Sequence, residues 1–380
     1  MQKPFKLVLD SFNEIYPLLK EWADDDFWDF KQHTIIPGAV YVIGRQQFID
    51  NAVRIRELVE AGTIRVIMGN PHEGSETLKM QCEMLGVLDH VRTGKVLLIG
   101  GGDMEPELHY MLYDTFLPQI MDYEENIIAM SKSDEIYDKT DKPYKFLFLN
   151  GRMRPHRKYL LELWRLNGLL DQTLWTSLDA WHGPRKGLQL MHEGEDLMRT
   201  VRPVKTLPPD YEVDRYTDYI GLPSNDAYCK YTLFNKEWGE IYLKMAPYVD
   251  TYFSVVTETV FDYPHSFRTE KIWKPIAIGH PWIAVANYGY YRDMHNLGFK
   301  TFGHLVDESF DQIEDNNQRL NRVSQVVEDL CRQDLPAFLS EAKETCKYNQ
   351  HHLAEIRPKI RGEFPERFFQ FVNQEFKFNE

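Results

Sequence analysis

The stretch FSVVTETVFDYPHSFRTEKIWKPIAIGHPWI, residues 253–283, decides the fold of this chain. Its β-branched and aromatic beginning predicts a strand that ends at Glu258. After a loop, a helix is predicted from Thr269 to Ile278, and a second apolar run follows Pro281. A strand, a helix and a strand in this order indicate a parallel βαβ unit.

The charged residues of this stretch are expected where the strand ends and the helix begins, which is where open α/β sheets bind ligands. Arg268 offers a bidentate fork for phosphate, Lys271 adds a point charge, and the first helical turn adds backbone N–H groups. Glu258 and Glu270 are candidates to accept hydrogen bonds from sugar or ribose hydroxyls. This set favours a nucleotide sugar, whereas the alternative is an ordinary first helical turn beside a solvated arginine.

The run Phe267–Ile283 resembles the donor-site signature of GT-B glycosyltransferases of the α1,3-fucosyltransferase and exostosin kind. It is also similar, together with 297–311, to phage-type glycosyltransferase-like proteins. The resemblance implies that the Thr269-Glu270-Lys271 unit holds the ribose and phosphates of the donor, with GDP or UDP as the nucleotide. It also implies a donor domain of Rossmann type and no bound metal.

A second basic cluster, NGRMRPHRK at residues 150–158, directly follows a predicted strand. Asn150, Arg152, Arg154 and Arg157 therefore lie at a turn from strand to helix, and they concentrate positive charge in an acidic protein. Diphosphate binding is one interpretation, and Arg157 resembles the phosphate-binding arginine of the family. A solvated basic turn is the other.

The run Gly100-Gly101-Gly102-Asp103 follows a further predicted strand and lacks the spacing of a phosphate-binding glycine loop. One interpretation is a tight turn. The other is a loop that faces an acceptor, in which Asp103 or Glu105 serves as general base toward the acceptor hydroxyl.

The remaining pattern predicts two Rossmann-like α/β domains that face a cleft, as in the GT-B fold, with C-terminal helices that cross back. Residues 1–140 form the acceptor domain, 141–350 the donor domain and 351–380 a helical tail. A helix is expected over 108–130. In the acidic run Asp24–Asp26, a solvating or capping role is favoured over a metal-binding one, because the run follows a predicted helix.

Composition narrows the functional classes. The 380 residues carry a formal charge of −14, which argues against broad nucleic-acid binding. The four cysteines are widely spaced, which favours free thiols, and neither a secretory signal nor a membrane-spanning run is found, so a cytoplasmic location is expected.

The sequence thus favours a metal-independent glycosyltransferase that moves a sugar from a nucleotide-diphosphate sugar to a glycan or other hydroxyl acceptor, without a further cofactor. Two alternatives stay open. One is a catalytically silent accessory protein that binds nucleotide sugars, and the other is a transferase that acts on modified DNA bases.

Overall fold

Two parallel sheets organise the part of the chain that the computed structural model describes, namely residues 4–103, 106–150, 154–177, 243 and 245–378. The chain divides into two units. The first unit comprises Met1–Pro118, His265–Arg268 and Glu355–Glu380, and the second comprises Gln119–Pro264 and Thr269–Ala354. The division after Pro118 precedes the boundary near residue 140 that the sequence indicates.

The first unit contains a six-stranded sheet whose paired strands are all parallel. The order across the sheet is β2-β1-β3-β4-β5-β6. The strands are β1 (Leu7–Asp10), β2 (Asp25–Phe27), β3 (Val40–Gly44), β4 (Arg65–Gly74), β5 (Val96–Gly101) and β6 (Tyr110–Leu112).

Alternate residues of these strands enter two separate cores, as expected for a parallel sheet that is covered on both faces. Val66 and Met68 of β4 belong to one core, whereas Ile67 between them belongs to the other. Phe364 and Phe368 pack in the second core with the strands of the first unit. The C-terminal residues therefore return to the N-terminal sheet, as the sequence predicts.

Before residue 120, the described helices of the first unit are short, and two of them begin at the residue after a strand. They are α1 (Tyr16–Leu19), α2 (Arg45–Asp50), α3 (Ala52–Glu60), α4 (Ser75–Met84), α5 (Leu88–Arg92) and α6 (Phe116–Gln119), which ends at the first residue of the second unit.

The second unit contains a four-stranded parallel sheet in the order β10-β9-β7-β8. Phe146 and Phe253 stack across neighbouring strands with centroids 5.3 Å apart, and Trp164 packs edge-on against Phe146 at 5.2 Å. The elements are α7 (Glu124–Ser131), α8 (Glu135–Asp138), β7 (Tyr144–Asn150), α9 (Pro155–Leu166), β8 (Thr173–Ser177), α10 (Met245–Val249), β9 (Thr251–Thr257), α11 (Glu270–Ile278), β10 (Trp282–Val285), α12 (Tyr290–Asn296), α13 (Asn316–Leu330), α14 (Leu335–Gly362), which ends in the first unit, and α15 (Phe364–Phe376), which lies wholly in it.

One local expectation is wrong. The helix predicted over 108–130 is interrupted, because Tyr110–Leu112 form the edge strand β6 and the segment after them contains α6 and part of α7. The acidic run Asp24–Asp26 overlaps the edge strand β2, and the Asp24 carboxylate accepts a hydrogen bond of 2.6 Å from the Leu7 backbone N–H. This carboxylate satisfies the first backbone N–H of the interior strand β1. Asp24, Asp25 and Asp26 are all exposed, in agreement with the solvating role that the sequence favours.

In the described residues, no helix combines the length and apolar character that crossing a membrane requires. Cys82, Cys331 and Cys346 are free thiols in the interior, and burial raises the pKa of each to about 12. Cys229 and the insertion expected at 181–223 lie outside the described residues.

Candidate functional site

The second sheet has its topological switch point between β7 and β9. The chain passes from β7 outward to β8 and then returns past β7 to β9 and β10. Thr257 at the end of β9 donates a hydrogen bond of 2.8 Å from Oγ1 to Oδ1 of Asn150 at the end of β7. Ligands of open α/β sheets bind outside the carboxyl ends of strands at such a point. The residues that follow Asn150 and Thr257 therefore form the candidate site.

The cluster after β7 caps and begins α9. Arg154 is the half-buried N-cap residue in extended conformation, and Pro155 fits the first helical position because its missing N–H has no partner to lose there. The Arg157 side chain donates from Nη2 to the carbonyl oxygens of Thr257 (2.8 Å) and Glu258 (3.0 Å). Arg157 thus joins the start of α9 to the end of β9 within this edge.

His156 supports the same junction as a neutral ring. Its Nε2 lies 3.1 Å from the Glu258 carbonyl oxygen, which only accepts, so this nitrogen carries the hydrogen. The ring stacks on Phe261 with centroids 5.1 Å apart. Burial, with the neighbouring Arg157 cation as a second cause, holds the pKa of His156 well below its usual value.

Glu258 is fully buried and ties the strand end to the two helices that follow. Its carboxylate accepts from the Thr269 N–H (3.1 Å), the Thr269 hydroxyl (2.6 Å) and the Tyr290 hydroxyl (2.9 Å). Burial raises the pKa of this carboxyl, although Lys271 and Thr269 oppose that rise. Its contacts are those of a structural carboxylate, and its predicted role as a sugar or ribose ligand stays a prediction.

Thr269, Glu270 and Lys271 form the start of α11 as the sequence predicts. Thr269 is the N-cap, and its Oγ1 accepts from the Lys271 N–H at 3.4 Å. The Lys271 ammonium contacts Oε1 of Glu270 at 2.6 Å and the hydroxyl oxygens of Thr259 and Thr269 at 3.2 Å each. The Lys271 side chain is still 26% exposed, whereas that of Glu270 is 5% exposed.

The electrostatics of this edge suit an anion. Burial tends to raise the pKa of Glu270, but the Lys271 and Lys274 cations outweigh it and lower that pKa. The helix of nine residues turns its N-terminal N–H groups toward the same edge, where the helix dipole favours negative charge. A partly exposed ammonium, a half-buried arginine and a helix N-terminus therefore belong to this edge.

Arg268, which the sequence places beside this set, lies in the first unit and is only 1% exposed. Its Nη2 donates to Oδ2 of Asp114 at 2.9 Å, and its two terminal nitrogens donate to the two carboxylate oxygens of Asp103 at 3.2 Å each. Two carboxylates therefore occupy this guanidinium, and its role as a diphosphate ligand stays a prediction. Asp103, the predicted general base, is 38% exposed at its side chain.

Gly101 at the end of β5 and Gly102 after it lie against Phe267, which is 4% exposed. A Cβ at Gly101 would lie 2.7 Å from the Phe267 ring, and a Cβ at Gly102 would lie 2.5 Å from the Ser266 carbonyl oxygen. Gly102 also has a φ of +80°, which side-chain-bearing residues rarely adopt. The glycines thus permit close approach by Ser266 and Phe267 of the same chain.

The structure brings Asn150, Arg154, Arg157, Glu258, Thr269, Glu270 and Lys271 to one edge of the second unit, whereas Asp103 and Arg268 meet in the first unit, and Arg152 and Glu105 lie outside the described residues. Sequence reasoning missed Asp114 and Tyr290. Neither residue lies in a motif, and no local signal in the sequence points to it.

No group of three or more histidine, cysteine, aspartate or glutamate side chains in the described residues is arranged to hold a metal ion. Neither a protein-family model nor a curated protein matches this chain.

Proposed function

We propose that this protein is a glycosyltransferase that binds a nucleotide-diphosphate sugar at the carboxyl edge of its second sheet and transfers the sugar to a hydroxyl acceptor without a metal ion. The observation that carries the proposal is the coincidence of three features at one switch point. These are the β7/β9 junction at Asn150 and Thr257, the N-terminus of α11, and the partly exposed Lys271 ammonium.

The chemistry follows from charge in the leaving group. As the glycosidic bond breaks, negative charge develops on the diphosphate, and preorganised cations and N–H groups stabilise that charge. Among the cations of this edge that the structure describes, Lys271 and Arg154 keep some exposure, so we assign the diphosphate to them and to the first turn of α11. Glu270, held ionised by Lys271, is assigned to the ribose hydroxyls.

The proposal includes a GT-B assignment, with the second unit carrying the donor and the first unit carrying the acceptor. It also includes a cytoplasmic location, which three free interior thiols favour. The resemblance of Phe267–Ile283 to the fucosyltransferase and exostosin signature supports the donor assignment.

Calorimetric titration with GDP-, UDP- and ADP-sugars tests the binding step. We expect wild-type protein to bind at least one of them and Lys271→Ala to weaken its affinity by about tenfold or more, since a charge-assisted contact is lost. Lys347→Ala is the matched control, because this 32% exposed lysine pairs with Asp134 at 2.9 Å elsewhere in the second unit. The proposal fails if no sugar nucleotide binds, or if both lysine variants bind as wild type does.

A second candidate is a nucleotide-sugar-binding protein without transferase activity. The observation that favours it is the pairing of Asp103 with Arg268, because the guanidinium contacts both carboxylate oxygens of the predicted general base. A product assay with the bound sugar nucleotide separates the candidates. Release of free sugar or of a glycosylated acceptor supports the transferase, and binding with no turnover on a panel of acceptors supports the silent protein.

A further inference from the structure

The loop between β9 and α11 contributes four residues, His265–Arg268, to the first unit, and we call them the docked segment. The chain leaves the first unit at Arg268. The next residue, Thr269, is already the N-cap of α11 in the second unit. One peptide bond therefore separates a side chain anchored in the first unit from the helix start that carries Glu270 and Lys271.

Three different contacts hold the docked segment in the first unit. The Ser266 carbonyl accepts a hydrogen bond of 2.8 Å from the Asp103 N–H. Phe267 fills the space that Gly101 and Gly102 leave open. Arg268 binds one carboxylate that is 6% exposed, Asp114, and one that is 38% exposed, Asp103.

The arrangement around Arg268 is directional and specific for arginine. Its planar fork reaches two carboxylates at once, and Nη2 is shared between them. A lysine places a single ammonium on a flexible stem and does not reproduce this geometry. Because Arg268 and Asp114 are both buried, loss of their contact leaves two poorly solvated charges, so the native orientation of Arg268 is strongly preferred.

We infer that Arg268 is a positioning residue, which binds Asp103 and Asp114 and thereby fixes the backbone at Thr269 and the first turn of α11. The inference rests on the proposed function in one respect, that this turn is where the donor diphosphate binds. Arg268 then acts on the donor through Lys271 and Glu270, without touching it.

Hydrogen exchange measured by mass spectrometry on peptides covering residues 269–280 tests this inference without any ligand. Arg268→Lys and Asp114→Asn are compared with Asp10→Asn. Asp10 is a matched control because it is also a buried carboxylate at a strand end of the first sheet, where it accepts from the Phe12 and Gly44 N–H groups. It has no hydrogen bond to the docked segment among the contacts described.

We expect exchange in 269–280 to become about tenfold faster or more in Arg268→Lys and Asp114→Asn, because local opening no longer has to break the buried pairs. Asp10→Asn should leave this region within about twofold of wild type, since its effect is confined to β1 and β3. Unchanged exchange in both test variants overturns the inference. Equal acceleration by Asp10→Asn also overturns it, because the effect is then a general loosening.

Asp103→Asn is the milder variant if the other two do not fold, because it alters the exposed partner and keeps the bond from Arg268 to Asp114. It should accelerate exchange in the same peptides, and the absence of any change there counts against the inference.

Titration of the same variants with GDP and UDP separates this inference from the proposed function. Weaker nucleotide binding by about tenfold in Arg268→Lys, together with faster exchange, supports both. Faster exchange in a protein whose wild type binds neither nucleotide supports the positioning of α11 and defeats the proposed function. Normal exchange and normal affinity in Arg268→Lys defeat the inference alone.

Discussion

The carboxyl edges of the two sheets both carry an arginine or lysine beside carboxylates, but the two edges treat the cation differently. Arg268 at the first edge is 1% exposed and binds two carboxylates. Lys271 at the second edge is 26% exposed and binds one carboxylate and two hydroxyls. The comparison teaches that a basic residue at a sheet edge has two uses, and that exposure separates the structural use from the one that suits a ligand.

The buried carboxylates of the two edges are alike, in contrast. Asp10 ends β1 and accepts from two backbone N–H groups. Glu258 follows β9 and accepts from two backbone N–H groups and two hydroxyls. Burial raises the pKa of each, and the hydrogen bonds oppose the rise. A carboxylate at the end of a parallel strand is therefore weak evidence for ligand binding, because it also closes the backbone of the turn that follows.

The largest expected effect is on the stability contributed by the two cations. Arg268→Met leaves Asp103 and Asp114 without their cation in a buried site, so we expect a loss of about 3–5 kcal/mol in the free energy of unfolding. Lys271→Met also leaves a buried carboxylate, Glu270, but Lys271 is partly exposed and Lys274 still stabilises that charge, so we expect a smaller loss of about 1–2 kcal/mol. Urea unfolding followed by circular dichroism measures both.

The contrast between the edges breaks down if the two methionine variants lose similar stability. Where Arg268→Met is too unstable to purify, Arg268→Lys provides the comparison, and it should still be less stable than Lys271→Met.

Periodicity and turn chemistry were sufficient to predict the order of the main strands and helices. The β9-α11-β10 unit lies where the sequence predicts it, because its first strand is rich in aromatic and β-branched residues, its helix has a threonine cap, and Gly279 ends the helix with a φ of +75°. The edge strand β6 is not predicted, because three residues are too few to show the alternation of polar and apolar side chains that distinguishes a strand from a helix.

The candidate site was predictable only as a set of residues that share a sheet edge. The sequence places Arg268 and Lys271 three positions apart. That spacing does not show that Arg268 is buried against Asp114 whereas Lys271 stays partly exposed. The glycine run was likewise assigned to a turn or an acceptor, whereas it accommodates Phe267 from a distant part of the chain. Burial by distant residues is a tertiary property, and local pattern does not report it.

The docking of Phe267 against the glycines gives the second prediction. Gly102→Ala and Gly38→Ala both place a side chain at positive φ, +80° and +77°, but nothing lies within 4 Å of a Cβ at Gly38. We expect about 1–2 kcal/mol of destabilisation for Gly38→Ala from backbone strain alone. Gly102→Ala should lose about 2–4 kcal/mol, because the new Cβ also meets the Ser266 carbonyl and Phe267.

Thermal unfolding of both alanine variants measures this difference. Equal losses of stability in the two proteins contradict the tight contact between Gly102 and the docked segment. Backbone strain at positive φ, which both positions share, then accounts for both losses.

The smallest expected effect distinguishes a hydroxyl at the second edge from one at the first. Thr269→Ala removes the cap of α11 and one donor to Glu258, so we expect a loss of about 1–2 kcal/mol, and Thr269→Ser should restore most of it. Ser75→Ala at the first edge removes a hydrogen bond of 2.8 Å to the Asp103 carbonyl and should lose about 1 kcal/mol.

Urea unfolding gives these losses, and titration with the sugar nucleotide that binds wild type gives the affinities. Because Thr269 also orients the Lys271 ammonium, Thr269→Ala should weaken binding several-fold, whereas Ser75→Ala should bind as wild type does. Two variants of similar stability and unequal affinity place the ligand at the second edge, and equal affinities argue that neither hydroxyl is near it.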